Sequence, residues 1–276
     1  MEKSRINELR KELIKNELDA LLISAPANIR YLSGFTAGAD ARLLLTLEEQ
    51  FIFTDSRYRE QALLECPSWD YQEEKAQGLE QLSKKAQGLH RIGFEGQHIT
   101  YAFYQRLSQV KPVIWEPVAG LIESLRSIKT PVELDKLRTA ARIGDEVFTD
   151  ILPMIKAGIE EKSLADTIVH LLRQKGCERE AFDAIVVAGE NAALPHGRPG
   201  KKLMAPGDMV TMDFGGIFEG YAGDMTRTIA INPPTLRFQD IYKKVREAQQ
   251  IGLDTIKAGV SCREVDQQVR QCLQKH

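Results

Sequence analysis

Cysteine is scarce in this chain, and its four residues are scattered without a CxxC pair (Cys66, Cys177, Cys262 and Cys272). This spacing argues against a thiolate zinc site and predicts free thiols in a reducing cytosol rather than disulfides. No apolar run approaches the length of a membrane span, and the first residues, MEKSRINELRKEL, lack the apolar core of a signal peptide. The sequence therefore predicts a cytoplasmic protein with no membrane partner.

An excess of charge of either sign is also missing. The 37 basic and 39 acidic residues give a formal net charge of -2, which offers no reason to expect a nucleic-acid partner. A G-x-S-x-G elbow is absent, and GIFEG and GFTAG lack the ending and context of a phosphate loop. Nucleophilic serine or cysteine catalysis and nucleotide binding are therefore weakly supported.

The N-terminal part instead alternates helix-like and strand-like segments, which is typical of an α/β layer domain. Apolar residues at helical spacing predict a helix from about residue 3 to 16. A hairpin is predicted in RLLLTLEEQFIF, with Glu48-Glu49 at its turn, and further strands are predicted in LDALLIS, HRIGFEG and KPVIWEPV. These elements make up a predicted first domain over residues 1–128.

A second domain, residues 129–276, is predicted from a helix-start signal. Thr130-Pro131-Val132-Glu133 is a capping box, with a threonine N-cap, proline at the first helical position and glutamate three residues after the cap. We expect a long helix from Pro131 to about Met154.

The second domain contains an internal repeat. KAGIEEKSLADTIVHLLRQK (156–175) aligns with KAGVSCREVDQQVRQCLQKH (257–276) at an offset of 101 residues, and the preceding helical segments match at the same offset. The pattern predicts a duplicated unit of two helices followed by sheet. The second copy ends on its helix, so we expect exposed apolar surface there and an oligomeric or aggregation-prone chain.

Two aspartates, Asp213 and Asp224, lie in a predicted hairpin, TMDFGGIFEGYAGDMTRT. A turn centred on Phe218-Glu219 would place Asp213 directly opposite Asp224, where two like charges are destabilising. The same register would pair Thr211 with Thr226 and Met212 with Met225. A divalent cation between the carboxylates would resolve the repulsion, because carboxylate oxygens suit such ions. The alternative is a polar hairpin whose aspartates face solvent.

His196 is the second candidate site residue, in the rigid frame PHGRP after the apolar strand AIVVAG. A histidine on a strand-end loop can act as a metal ligand, a proton shuttle or an oxyanion donor. The alternative is an ordinary surface-loop histidine, which is our interpretation of His90, His98 and His170.

The block AFDAIVVAGENAALPHGRPGKKLMAPGDMVTMDFGGIFEGYAGDMTRT resembles the centre of the Xaa-Pro aminopeptidase and prolidase group of "pita-bread" metallopeptidases. LDALLISAPANIRYLSGF and FTDSRYREQA resemble their creatinase-like N-terminal domain. The resemblance covers the whole chain. It implies an α/β (α+β) fold with a creatinase-like domain followed by a pita-bread catalytic domain whose second half is incomplete.

The resemblance also implies a site with two divalent metal ions, often manganese, cobalt or zinc, held by two aspartates, one histidine and two glutamates. Asp213 and Asp224 match the two aspartates, with Asp224 bridging the ions. His196 matches the substrate-side histidine that contacts the scissile carbonyl and the tetrahedral intermediate. The other three ligands would follow residue 276, and His276, at the end of the repeat helix, is a poor substitute for any of them.

Three functions fit these residues. The first is an Xaa-Pro aminopeptidase or dipeptidase, a homodimer acting on proline-containing peptides, although the absent ligands predict weak metal binding and little activity of this chain. The second is a non-catalytic pseudo-peptidase that serves as a binding or dimerisation module. The third is a creatinase-like amidinohydrolase without metals, which the aspartate pair disfavours.

Overall fold

The computed structural model describes residues 2–75 and 78–275. The chain folds into two compact units, Met1–Val132 (unit 1) and Glu133–His276 (unit 2). None of the helices described is both long enough and apolar enough to pass through a bilayer. The helices are α1 (Glu2–Lys15), α2 (Pro26–Ser33), α3 (Arg59–Glu65), α4 (Glu80–Lys85), α5 (Tyr101–Leu107), α6 (Leu121–Ser127), α7 (Pro131–Ile151), α8 (Glu161–Gln174), α9 (Leu236–Thr255) and α10 (Cys262–Gln274). The strands are β1 (Ala20–Ile23), β2 (Ala41–Thr46), β3 (Gln50–Thr54), β4 (Asp70–Glu73), β5 (Arg91–Glu95), β6 (Ile114–Val118), β7 (Arg179–Glu180), β8 (Ile185–Ala188), β9 (Met209–Phe214), β10 (Gly216–Phe218), β11 (Tyr221–Ala222) and β12 (Met225–Ala230).

Unit 1 is built on a six-stranded mixed sheet with the order β4-β3-β2-β1-β5-β6. The sequence ALLI of β1 is buried throughout, because its alternate residues enter two different apolar clusters on the two faces of the sheet. Helix α1 buries Ile6, Leu9 and Leu13. The predicted first helix, the β2–β3 hairpin and the strands β1, β5 and β6 are therefore confirmed.

Unit 2 packs α7 and α8 against a three-stranded antiparallel sheet with the order β12-β9-β8. A second small antiparallel sheet has the order β11-β10-β7. Helix α7 begins at Pro131, as the capping box predicts, and a 3-10 turn (Leu152–Met154) completes it. Its third residue, Glu133, is buried and accepts a hydrogen bond of 2.9 Å from the hydroxyl of Tyr221.

The two helix pairs of unit 2 repeat at the predicted offset. Helix α8 begins at Glu161 and α10 begins at Cys262, 101 positions later, and each follows a glycine with φ near +90° (Gly158 and Gly259). The terminal residue of the alignment, His276, lies outside the described residues. The duplication of two consecutive helices is confirmed.

Burial distinguishes the two copies. Leu172 of α8 is fully buried in the core of unit 2, whereas its counterpart Leu273 on α10 is 44% exposed. On α9, Ile241 and Val245 are 45% and 54% exposed, and their counterparts on α7, Ala140 and Gly144, are buried. We call this exposed surface of α9 and α10 the second-copy face. The first copy covers the equivalent face with the β12-β9-β8 sheet.

Candidate functional site

The aspartate hairpin forms, but the predicted register is wrong. Strand β9 pairs with β12 so that Asp213 lies opposite Thr226 rather than Asp224, and the pairing Phe218 with Tyr221 closes the hairpin. The turn residues are Glu219 and Gly220, both with positive φ (45° and 84°). This is the geometry of a two-residue type I′ turn, whose twist matches that of the flanking strands. It shifts every predicted cross-strand partner by two residues.

A shift of two residues preserves the face on which each side chain lies, because side chains alternate with a period of two. The polar face is as predicted. Asp213 accepts a hydrogen bond of 2.6 Å from the hydroxyl of Thr226, and the hydroxyls of Thr211 and Thr228 lie 3.2 Å apart. On the opposite face, Val210, Met212 and Phe214 are fully buried.

The corrected register makes Asp213 and Asp224 diagonal neighbours across the hairpin. Such pairs lie roughly 7–8 Å apart at their Cα atoms, so the like-charge repulsion expected for directly opposed carboxylates is reduced. Asp213 is half-buried and Asp224 is exposed. Both carboxylates therefore remain on one hairpin and accessible to an ion.

Two glycines allow the strands to approach closely beside Asp224. A Cβ on Gly215 would overlap the carbonyl oxygen of Gly223 and lie 3.1 Å from the Cα of Asp224. A Cβ on Gly223 would lie 2.9 Å from the carbonyl oxygen of Ala140 on α7. The absence of side chains here lets the hairpin and α7 pack directly, which sets the position of the Asp224 backbone.

The loop that carries His196 folds onto the same side of the sheet as Asp213. Gly197 donates its N–H to the carbonyl of Leu194 (3.1 Å), closing a turn in which His196 is exposed. A Cβ on Gly197 would lie 2.8 Å from Cγ1 of Val187. Val187 is paired with Thr211, which shares a face with Asp213. The sheet thus brings the loop to the face of the aspartates.

The donor set fits a divalent cation only in part. Carboxylate oxygens are suitable ligands for such ions, and Asp213 and Asp224 supply them. Within residues 2–75 and 78–275, however, no group of three or more histidine, cysteine, aspartate or glutamate side chains is arranged to hold a metal. His196 therefore does not complete a ligand cluster with the two aspartates in this structure.

The sequence interpretation missed one buried residue near this loop, Glu161 at the start of α8. Its side chain is fully buried and accepts three hydrogen bonds from the segment between β8 and Gly200. The sequence contains a signal for its burial: Glu161 lies three residues before Leu164, on a helix face that is otherwise apolar. A glutamate at such a position must have partners to be buried.

The thiol of Cys177, which lies beside Gly216 of the hairpin, is made unreactive by its environment. Burial raises its pKa, and the charge of Glu178 raises it further. A raised pKa keeps the sulfur in its unreactive thiol form at neutral pH. This agrees with the weak sequence support for cysteine catalysis.

Two sequence families match consecutive parts of the chain. Residues 5–128 match the Creatinase/Prolidase N-terminal domain, and residues 135–276 match Metallopeptidase family M24. The matched segments correspond to most of unit 1 and most of unit 2, respectively.

Curated relatives and solved structures agree with these matches. The uncharacterized peptidase YqhT of Bacillus subtilis is 35% identical over 265 residues, which cover 95% of this chain and 75% of that protein. The Xaa-Pro dipeptidase of Pyrococcus horikoshii is 29% identical over 276 residues, covering 98% of this chain and 78% of the relative. The structure of the Xaa-Pro dipeptidase from Bacillus anthracis superposes with a TM-score of 0.94 at 33% identity, over 100% of this chain and 78% of that chain.

Proposed function

The chain belongs to Metallopeptidase family M24, with a creatinase-like N-terminal domain and the pita-bread fold, and on that premise we propose that it serves hydrolysis of the peptide bond preceding proline. The observation that carries the proposal is the hairpin that holds Asp213 and Asp224 as diagonal neighbours. Relatives described as Xaa-Pro dipeptidases support proline-containing peptides as the substrate class. Such a bond calls for a dedicated enzyme, because the proline amide has no N–H and restricts its neighbour.

In this proposal each site residue has one role. Asp213 and Asp224 would hold divalent metal ions (manganese, cobalt or zinc). Bound there, a divalent cation supplies Lewis acidity and a nucleophile at neutral pH. Thr226 orients the Asp213 carboxylate by its hydrogen bond of 2.6 Å. His196, exposed on its turn, would contact the substrate carbonyl and donate to its oxygen as negative charge develops.

Two carboxylates form an open, anionic half-site, so we propose weak metal binding and low peptidase activity for the 276-residue chain on its own. The second candidate function is a non-catalytic pseudo-peptidase that acts as a binding or dimerisation module. The exposed apolar residues of the second-copy face favour it, because contiguous apolar surface marks interaction sites. In either case we propose a homodimer in a reducing cytosol, consistent with four free cysteines.

The first experiment measures manganese bound per chain after metal loading and desalting. Two ions per chain would support the peptidase proposal for this chain and imply that further ligands come from elsewhere, such as a second chain. No bound manganese after desalting would agree with the weak binding proposed for the two carboxylates, and it would count against peptidase activity of this chain and favour the pseudo-peptidase. Hydrolysis of an Xaa-Pro dipeptide and of a longer Xaa-Pro peptide, measured on the same sample, would separate dipeptidase from aminopeptidase activity.

Two variants test the roles of the site residues. We expect Asp224→Asn to reduce manganese affinity in calorimetric titration more than His196→Ala, because Asp224, unlike His196, is proposed as a metal ligand. Thr226→Val keeps both carboxylates and removes the hydrogen bond that orients Asp213, so we expect it to reduce affinity less than Asp224→Asn. Equal losses of affinity in Asp224→Asn and His196→Ala would show that the roles are wrongly assigned.

A further inference from the structure

We propose that Glu161 is a positioning residue for His196, a buried carboxylate that fixes both ends of the loop between Ala188 and Gly200. The inference deepens the proposed function, on which it rests for the role of His196. It concerns a group that the metal proposal does not use. Glu161 contacts neither Asp213 nor Asp224 among the hydrogen bonds of the described residues.

The carboxylate joins the two ends of the loop. Its Oε1 accepts hydrogen bonds from the N–H of Ala188 (2.9 Å), at the end of β8, and from the side-chain amide of Asn191 (3.1 Å). Its Oε2 accepts a hydrogen bond from the N–H of Gly200 (3.1 Å), which lies beyond His196. One buried group therefore holds the chain before and after the histidine.

The backbone around Glu161 reinforces this closure. The N–H of Glu161 donates to the carbonyl of Lys202 (3.1 Å), and the N–H of Lys162 donates to the carbonyl of Gly200 (3.0 Å). The ammonium of Lys202 donates to the carbonyl of Ala188 (2.8 Å), which places a positive charge at the same junction. The start of α8 and the base of the loop thus form one hydrogen-bonded network.

The duplicated helix provides an internal comparison. In the second copy, α10 begins with Cys262 at the position of Glu161, and Cys262 is exposed. A helix of this type therefore begins without a buried carboxylate. Glu161 also makes none of its three side-chain hydrogen bonds to α8 itself. Its contacts serve the loop rather than the helix.

The test is Glu161→Gln in the metal-free 276-residue chain. Glutamine has one acceptor oxygen instead of two, so its NH₂ group must face either Gly200 or the Ala188–Asn191 pair. We expect hydrogen exchange at the Gly197 amide to accelerate roughly 10- to 100-fold, because a buried donor loses its partner at the base of the loop. The Gly197 amide donates to Leu194 rather than to Glu161, so a change in its exchange reports the position of the loop.

The second readout is the NMR signal of the His196 imidazole, assigned with His196→Gln. We expect it to shift and sharpen in Glu161→Gln as the loop gains mobility. Glu133→Gln is the matched control, since Glu133 is also a buried glutamate but accepts from Tyr221 on another part of the unit. Glu133→Gln should lower the melting temperature about as much as Glu161→Gln does, and it should leave Gly197 exchange and the His196 signal unchanged.

Asn191→Ala keeps the carboxylate and removes one donor, so it covers the case in which Glu161→Gln does not fold. It should accelerate Gly197 exchange to a smaller extent. The proposal would be overturned if a folded Glu161→Gln chain showed unchanged Gly197 exchange and an unchanged His196 signal. If only Asn191→Ala folds, the same result in that variant would overturn it. These readouts require no metal or turnover, so they stand apart from the manganese measurement. Failure to bind manganese would count against peptidase activity of this chain without altering the position of the loop.

Discussion

Replacing Gly215 with alanine should break the aspartate hairpin beside Asp224. The new Cβ would overlap the carbonyl oxygen of Gly223 and lie 3.1 Å from the Cα of Asp224. Both neighbours are backbone atoms, so no side-chain rotation can relieve the overlap. The two strands must separate, and the hydrogen bond from the N–H of Gly223 to the carbonyl of Gly216 (2.9 Å) would be lost or stretched.

The size of the effect follows from these contacts. Overpacking in a filled interior costs about 1–3 kcal/mol, and a lost backbone hydrogen bond adds about 1 kcal/mol. We therefore expect the free energy of unfolding of unit 2 to fall by about 3 kcal/mol. For a unit of this size that corresponds to a drop in melting temperature of roughly 6–12 °C.

The assay uses two optical signals. Both tryptophans, Trp69 and Trp115, lie in unit 1, so tryptophan fluorescence follows that unit, whereas far-UV circular dichroism follows the helices of both. We expect Gly215→Ala to lower the circular dichroism transition and to leave the fluorescence transition in place. Gly200→Ala is the control, because its Cβ would make only an ordinary contact, 3.8 Å from Oε2 of Glu161. A Gly215→Ala chain that melts like the Gly200→Ala chain would refute the steric reasoning.

Four further predictions concern other parts of the molecule. Tyr221→Phe should lower the free energy of unfolding by about 1–3 kcal/mol in urea titration, because it leaves the buried Glu133 carboxylate without this hydrogen bond; no change would contradict a role for the contact. Iodoacetamide at about pH 8 should alkylate the exposed Cys262 before the buried Cys66, as followed by mass spectrometry. Burial raises the pKa of the Cys66 thiol to about 11. The folded state thus retains the Cys66 proton longer than the unfolded state, so stability should fall as pH rises from 9 towards 11, and a flat profile would disagree. Ile241→Glu should reduce self-association measured by light scattering, because it places a charge on the exposed apolar second-copy face. A monodisperse wild-type monomer would contradict self-association through this face.

The elements that the sequence predicts well are those set by local chemistry. The capping box that ends at Glu133 and the helical spacing of Ile6, Leu9 and Leu13 depend on neighbours within one or two helical turns. The face of each hairpin residue follows equally from the alternation of side chains. Prediction from the sequence therefore succeeds for helix starts, for buried strands and for the polar face that carries Asp213.

The register of the hairpin could not be predicted with the same rule. A slip of two residues leaves every side chain on its own face, so the hydrophobic pattern is identical for the predicted and observed pairings. The turn decides between them, and a type I′ turn favours glycine at its second central position. Gly220 supplies that residue after Glu219. A turn placed by its glycine would have given the observed register.

Contacts between distant segments account for the rest of the site. Gly197 lies against Val187, and Glu161 reaches Gly200 across 39 residues of sequence. Neither contact has a local periodicity that would reveal it. The only sequence signal for the contact between Glu161 and Gly200 is a charged residue on an apolar helix face, because burial of a charge requires hydrogen-bond partners.

The two copies of the helix pair separate what the fold requires from what the site requires. Both copies keep the glycine before the second helix, with φ of 87° at Gly158 and 90° at Gly259, so the turn geometry belongs to the fold. They differ at Glu161 and Cys262, where only the first copy carries a carboxylate. That carboxylate holds a loop ending at Gly200. The carboxylate is therefore present in the copy whose helix contacts the loop that bears His196. This is the result expected if Glu161 serves the position of that histidine rather than the stability of α8.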